Sequence, residues 1–202
     1  MAGIAQILRP APGTLAGERI VVRPYRDDDA VVMYEAVAES RDHLRQFFPW
    51  FDNFGSEADA LAFLRHAQSD YILRRAFRMG IFSNANVYLG GCSLLVQDWA
   101  VPWFTVTYWI RQSQEGNGFV TEAVRLLIQA AFEELGAERL SLDCDALNHR
   151  SAAVAERLGF KLEGRARHER RNTSGDLADF LYYAMLKEEY HERFHSQQHR
   201  FA

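Results

Sequence analysis

One stretch constrains the fold more than any other: Trp109-Ile110-Arg111-Gln112-Ser113-Gln114-Glu115-Gly116-Asn117-Gly118-Phe119-Val120-Thr121. An apolar run that reads as a strand breaks into a loop with two glycines, then continues as Val120 to Phe132 with apolar residues at helical spacing, stopped by Gly136. A strand, a glycine turn and an amphipathic helix in succession argue for a sheet covered by helices. They also carry a chemical implication. The first N–H groups of a helix have no intrahelical acceptor, the macrodipole adds partial positive charge there, and glycines let a ligand approach the backbone closely, so this segment is suited to an anion. It is neither the Gly-Lys-Ser/Thr loop of nucleoside-triphosphate binders nor Gly-x-Gly-x-x-Gly.

The rest of the chain supplies the other layers. Arg19 to Arg23 is β-branched and bounded by Gly17 and Pro24, which suggests a first strand, and Asp27 precedes an apolar helical face over residues 30–37. A second short helix fits Arg41 to Phe48, ended before Pro49, and Ser56 with Asp59 caps a third that runs to about Arg75. Phe77–Phe82, Val87–Val96 and Trp103–Ile110 read as an antiparallel meander, with Asn84 to Asn86 as a turn and Gly90-Gly91 hinting at a bulge. Beyond the glycine loop and its helix come a strand at Arg139–Cys144 and a helix at Ser151–Leu158 with Gly159 at its C-terminus. Two strands around Thr173-Ser174-Gly175 complete the order. It predicts an α+β fold: a mixed, mostly antiparallel sheet of six or seven strands flanked by helices.

Composition narrows the function. With 48% hydrophobic and 25% charged residues the 202-residue chain is an ordinary globular protein, large enough for a core that holds a cleft. Its net charge of −4 is shared evenly, with 10 basic and 12 acidic residues in the first hundred, so no nucleic-acid surface is expected. Neither a signal peptide nor a membrane span is visible, which predicts cytoplasmic residence. The two cysteines, Cys92 and Cys144, fall in strand-like runs without metal or redox spacing, so no metal is expected. No repeat or linker divides the chain, and the expected organisation is an extension over 1–17, a domain over 18–188 and a polar, His-rich tail over 189–202.

The stretch Asp143-Cys-Asp-Ala-Leu-Asn148-His-Arg-Ser151 to Leu158-Gly-Phe-Lys-Leu-Glu-Gly164, about thirty residues after the glycine loop, resembles the GNAT family of acyl-CoA-dependent N-acyltransferases. Within that family it is similar to the RimJ/RimL-like branch, which acetylates protein N-termini. Trp-Ile before the loop, Gly-x-Gly-Phe-x-Thr-Glu-Ala, Asn-x-x-Ser and Leu-Gly-Phe-x-x-Glu-Gly carry the resemblance, and Ser40 to Trp50 looks like that branch's N-terminal helix pair. It implies the GNAT fold, in which two central parallel strands splay and the pantetheine arm of acetyl-CoA threads the gap. The strand groups would be Tyr108, Trp109 and Ile110. The pyrophosphate would rest on Gly116, Asn117, Gly118, Phe119, Val120 and Thr121, and Asn148 would contact the cofactor, with Arg111, Arg125 or Arg150 as helpers.

Two residues depart from the family pattern. Glu115 stands where many members carry Arg or Gln, and an acid there opposes a phosphate. Ala155 stands where many place a tyrosine that protonates the leaving thiolate; in the RimL-like branch the serine of Asn-x-x-Ser takes that role, which matches Ser151. Glu169 matches the branch's general base, with His168 as a second choice and a solvated, charge-paired hairpin as the bland alternative. Trp50 is expected to line the acceptor pocket, and Arg45 or Asp42 to hold the acceptor. The implied reaction is direct transfer of acetyl from acetyl-CoA to a primary amine, foremost an N-terminal α-amino group. A small amine as acceptor, and a CoA-binding regulatory module without turnover, are the alternatives. A homodimer is implied by the resemblance alone.

Overall fold

The computed structural model describes residues 6–194. Eight strands form one sheet: β1 (Leu15–Ala16), β2 (Ile20–Pro24), β3 (Ala76–Ser83), β4 (Tyr88–Asp98), β5 (Trp103–Ile110), β6 (Arg139–Asp145), β7 (Lys161–Arg171) and β8 (Leu177–Leu186). Among the described residues they are accompanied by the helices α1 (Ala30–Leu44), α2 (Glu57–Ile72), α3 (Phe119–Gln129), α4 (His149–Leu158) and α5 (Lys187–Phe194). The sheet order is β1-β2-β3-β4-β5-β6-β8-β7, and β5–β6 is the one parallel pair among the described residues. The expected six or seven strands become eight because Leu15–Ala16 pairs with Val21 and Val22.

Alternation along the strands separates two cores. Ile20, Val22, Phe77, Met79, Ile81, Phe104 and Val106 pack with α3 and α4 on one face, and Tyr25, Phe82, Tyr88 and Trp109 pack with α1 and α2 on the other. Helix α3 turns Ala123, Val124, Leu127 and Ile128 inward, all 0% exposed. Burying a Val, Leu or Ile side chain contributes about 1.5–3 kcal/mol, against about 0.2–1 kcal/mol for an exposed ion pair, so packing holds the helix and charges refine its neighbourhood. Helix α5 docks through Tyr190, which is buried and stacks on Phe132. The expected tail therefore begins as a helix, and residues 195–202, like 1–5, lie outside the described residues.

The break expected between two early helices is absent: α1 runs unbroken through Glu39-Ser40-Arg41-Asp42. Three of these polar residues have tertiary partners. Glu39 pairs with Arg111 and accepts the Ser113 N–H at 2.9 Å, the buried Ser40 hydroxyl accepts the Gln112 N–H at 3.0 Å, and Arg41 donates to the carbonyl of Phe54. The last turns of α1 thus hold the 3-10 turn Gln112–Gln114 that leads from β5 into the glycine loop. The expected bulge is also present, since β3 pairs Ile81 with Gly90 and Phe82 with Tyr88, leaving Leu89 as the extra residue.

Hydrogen bonds from Arg111 hold the Glu39 carboxyl down to about 2, against an ordinary value of 4.5. A depressed carboxyl stabilises the fold fully above its unfolded pKa and loses that contribution as pH falls through the folded one. Glu39→Gln is therefore expected to be less stable than wild type at pH 7, with the difference shrinking between about pH 4.5 and 2 in urea unfolding series.

Candidate active site

The parallel ladder between β5 and β6 has three partners, Trp103 with Arg139, Phe104 with Leu140 and Thr105 with Ser141, and then ends. Beyond it β5 stays paired to β4 through Gly90↔Ile110, and β6 stays paired to β8 through Asp145↔Phe180. Each strand keeps its outer neighbour and loses its inner one, which is the splay implied by the resemblance. Close approach on the outer side is what Gly90 permits: a Cβ there would lie 2.3 Å from the Trp109 carbonyl oxygen. A cleft of about 1340 Å³ enters the gap, lined by Tyr108, Trp109 and Ile110 on one wall and by Asn148, Ser151 and Val154 on the other.

The glycine loop forms the floor of that cleft. Gly116 and Gly118 have φ of 77° and 78°, left-handed values that cost a side chain about 1–2 kcal/mol, and Gly118 is the N-cap of α3. Gly116, Gly118, Phe119, Val120 and Thr121 line the cleft, so the first turn of α3 opens onto it. Asn117 does not line it. Its carbonyl accepts Arg19 Nη1 at 2.8 Å and its side chain donates to the Gln114 carbonyl at 3.2 Å, so the residue braces the loop. Arg19 also pairs with Glu122 at 3.0 Å, fixing the helix start to the approach of β2.

Charged side chains around the floor divide into two sets. Arg111 pairs with Glu39 and does not line the cleft, whereas Arg125, Arg150 and Arg157 do. Arg157 donates to the Thr121 hydroxyl at 3.2 Å; the sequence reasoning missed it because it lies a full helix away. Glu115, which also lines the cleft, lies 2.8 Å from His43 Nε2 and pairs with Arg150. The carboxylate thus bridges α1 and α4 across the cleft mouth.

At the depth of the cleft two hydroxyls meet. Tyr108 Oη on β5 is 2.8 Å from Ser151 Oγ and donates at 3.3 Å to the Ser151 carbonyl oxygen. Asn148 caps α4 by accepting the Ser151 N–H at 3.1 Å, which fixes the serine in the first turn. Burial pushes the Cys144 thiol up to about 11, while a hydrogen bond from Ser151 favours its ionised form. Ala155 is fully buried one turn further on, so the hydroxyls here come from positions 108 and 151.

A second cavity of about 240 Å³ adjoins the cleft, lined among others by Thr107, Asp143, Cys144, Asp145, Arg170 and Asn172. Gln46, Phe47, Phe48, Tyr108, Asn148 and Ser151 line both spaces, which marks the passage between them. Asp143 pairs with Arg170 at 3.1 Å. Asp145 accepts the Leu147 N–H at 2.8 Å and, among the described residues, has no cationic partner. Neither carboxylate was singled out from sequence as a site residue; their alternation with Leu142 and Cys144 along β6, toward the face opposite the core, was the available signal.

Several expected residues fall elsewhere. Trp50 lies in the short helical turn Pro49–Asn53, with its ring 5.9 Å from Phe63 and parallel to it and 4.3 Å from Phe51, and it lines neither cavity. Packing in the aromatic cluster claims it, and its neighbours Phe47 and Phe48 face the site instead. Arg45 lines neither cavity and lies 3.9 Å from Asp52. Glu169 sits in a bulge of β7, where Ala166 pairs with Phe180 and Arg170 with Ala178, and its carboxylate accepts from Tyr182 and from Arg170 Nε at 3.2 Å. It too lines neither cavity. His168, at φ 52°, is held through its N–H to Asp179 at 2.9 Å.

Glu115 shares with any incoming phosphate the cations at the mouth. Glu115→Gln is expected to tighten CoA binding by up to about fivefold in calorimetry, since an exposed pair contributes at most about 1 kcal/mol.

No group of three or more His, Cys, Asp or Glu among the described residues could hold a metal ion, and no helix among them is long and apolar enough to cross a membrane. Residues 19–161 match the family described as Acetyltransferase (GNAT) domain. The chain is 30% identical over 175 residues to YdaF of Bacillus subtilis (strain 168), provisionally named a ribosomal N-acetyltransferase, covering 86% of this chain and 94% of that protein. Two solved structures share the fold. One is RimL, a ribosomal L7/L12 alpha-N-protein acetyltransferase in complex with coenzyme A (TM-score 0.82, 20% identity, 87% of this chain and 99% of the other). The other is the microcin C7 self-immunity acetyltransferase MccE in complex with acetyl-CoA and AMP (TM-score 0.78, 23% identity, 84% and 93%). A splayed parallel pair with a glycine loop at its mouth and a family match over most of the length make this chain a member of the GNAT acetyltransferases, an N-acetyltransferase that uses acetyl-CoA.

Proposed function

We propose that the enzyme acetylates the N-terminal α-amino group of a protein or peptide, with acetyl-CoA in the large cleft and the amine in the adjoining cavity. The observation that carries this division is the shared wall: the same six residues line both spaces, so a thioester and an amine arriving from opposite sides meet beside Ser151. The α-amino acceptor is supported by the likeness to YdaF, whose name assigns that protein to ribosomal N-acetylation. Two carboxylates, Asp143 and Asp145, and two guanidinium groups, Arg170 and Arg171, line that cavity, and Asp145, which among the described residues has no cationic partner, suits a cationic amine.

In this reading the free backbone edge of β5, with Tyr108, Trp109 and Ile110, takes the pantetheine arm. The first turn of α3, with Arg125, Arg150 and Arg157, takes the phosphates. Ser151 stabilises the leaving thiolate. The amine must shed a proton to attack, and Asp145 is the cavity carboxylate that no cation among the described residues holds, whereas Glu169 is engaged by Tyr182 and Arg170. Asp145 is therefore assigned as the base.

The test is thiol release by the purified chain with acetyl-CoA and a panel of N-terminal peptides and small amines. Turnover on peptides supports the proposal. Turnover on small amines alone replaces the acceptor, and tight CoA binding without any turnover makes the chain a regulatory module. With an active acceptor in hand, Asp145→Asn should lower kcat/KM for the amine by about 10²-fold or more. A larger loss in Glu169→Gln would return the base to position 169.

A further inference from the structure

The Tyr108 phenol does not belong to the backbone role that its strand position implies. It reaches across the gap from β5 to the first turn of α4, and desolvation holds its hydroxyl well above the ordinary phenol range, so it is a protonated phenol at neutral pH. Both of its contacts are to Ser151. The carbonyl oxygen at 3.3 Å can only accept, whereas Oγ at 2.8 Å can accept or donate, and this shorter contact is the one to which the proposal below gives the phenol hydrogen. A serine hydroxyl has one hydrogen. With an oxygen lone pair occupied by Tyr108, that hydrogen is left for another acceptor; Ser151 and Cys144 line the same cavity, and while burial raises the Cys144 thiol, Ser151 acts against that rise.

We propose that Tyr108 is a positioning residue for acetyl transfer, its phenol donating to Ser151 Oγ so that the serine hydroxyl is fixed as a donor toward the sulfur leaving the thioester. The proposal rests on the assignment of Ser151 above. In the step itself the amine nitrogen forms a bond to the acetyl carbon, the C–S bond breaks with its electron pair going to sulfur, and the proton shed by the amine goes to Asp145. The thiolate receives the Ser151 hydrogen bond and is later protonated by solvent. No proton leaves Tyr108, since both hydroxyls are weaker acids than a thiol; what the phenol supplies is orientation and polarisation of Ser151. Tyr108 can do this because it stands on one wall of the splay and Ser151 on the other, so the pair also sets the width of the passage that both substrates share.

The experiment compares single-turnover acetyl transfer by wild type, Tyr108→Phe, Ser151→Ala and the double variant, with acetyl-CoA KM measured in parallel. Tyr108→Phe should slow transfer by about tenfold with KM within about twofold, and should slow the Ser151→Ala background no further. A wild-type rate in Tyr108→Phe, or the same fold loss in both backgrounds, overturns the proposal. Ser151→Ala at the wild-type rate overturns instead the thiolate-stabilising role of Ser151 on which it rests. Should Tyr108→Phe not fold, 3-fluorotyrosine at position 108 keeps the shape and strengthens the donor: a rate at or above wild type is expected, and a slower one overturns the proposal.

Discussion

Beyond Thr105 the inner backbone edge of β5 has no strand beside it, and an unpaired edge inside a protein is costly unless something else takes its hydrogen bonds. The sheet tolerates the loss because β5 and β6 each keep a full antiparallel ladder on the outer side. The opened edge is therefore an extended acceptor and donor row waiting for an extended amide-bearing ligand, and the arm of CoA is such a ligand. The cleft, the passage and the adjoining cavity all follow from where the parallel ladder stops. A ladder extended by two or three pairs would close them.

The glycine loop at the mouth of this gap is held from both flanks by charge and hydrogen bonding. Glu39, Ser40 and His43 of α1 grip residues 111–115, and Arg19 braces Asn117 and Glu122. With left-handed backbone at Gly116 and Gly118 between these anchors, the loop is preorganised. An overall charge of −4 is no obstacle to a polyanionic cofactor when recognition is local. Thr121 and three arginines stand where the phosphates would arrive, and the acidic residues of β6 stand where a cationic acceptor would.

What the sequence disclosed depended on whether a residue's role was local. The strand, loop and helix over 103–132, the glycine that ends α4 at position 159 and the bulge beside Gly90 were legible because periodicity and glycine chemistry act over a few residues. Helix α1 was cut in two because Glu39, Ser40 and Arg41 look like a polar break until their partners, more than a dozen residues away, are seen. The partners of Trp50 in the aromatic cluster, Phe63 and Trp109, are likewise distant in the sequence. Tyr108 was legible as a strand residue, but the direction of its hydroxyl depends on the splay. Asp145 gained interest only when the structure paired Asp143 with Arg170 and left it without a cation.

The bulge in β7 that turns Glu169 toward Tyr182 has a second effect at the rim of the sheet. β7 is the last strand, eleven residues long and largely exposed, a shape that would ordinarily recruit a strand from another molecule. Three residues, 167–169, face one on β8, so the ladder is interrupted midway, and charged side chains, most of them held in ion pairs, crowd its length. The far edge of the sheet is thereby a broken and charged template, less suited to edge-to-edge pairing than eleven regular residues would be.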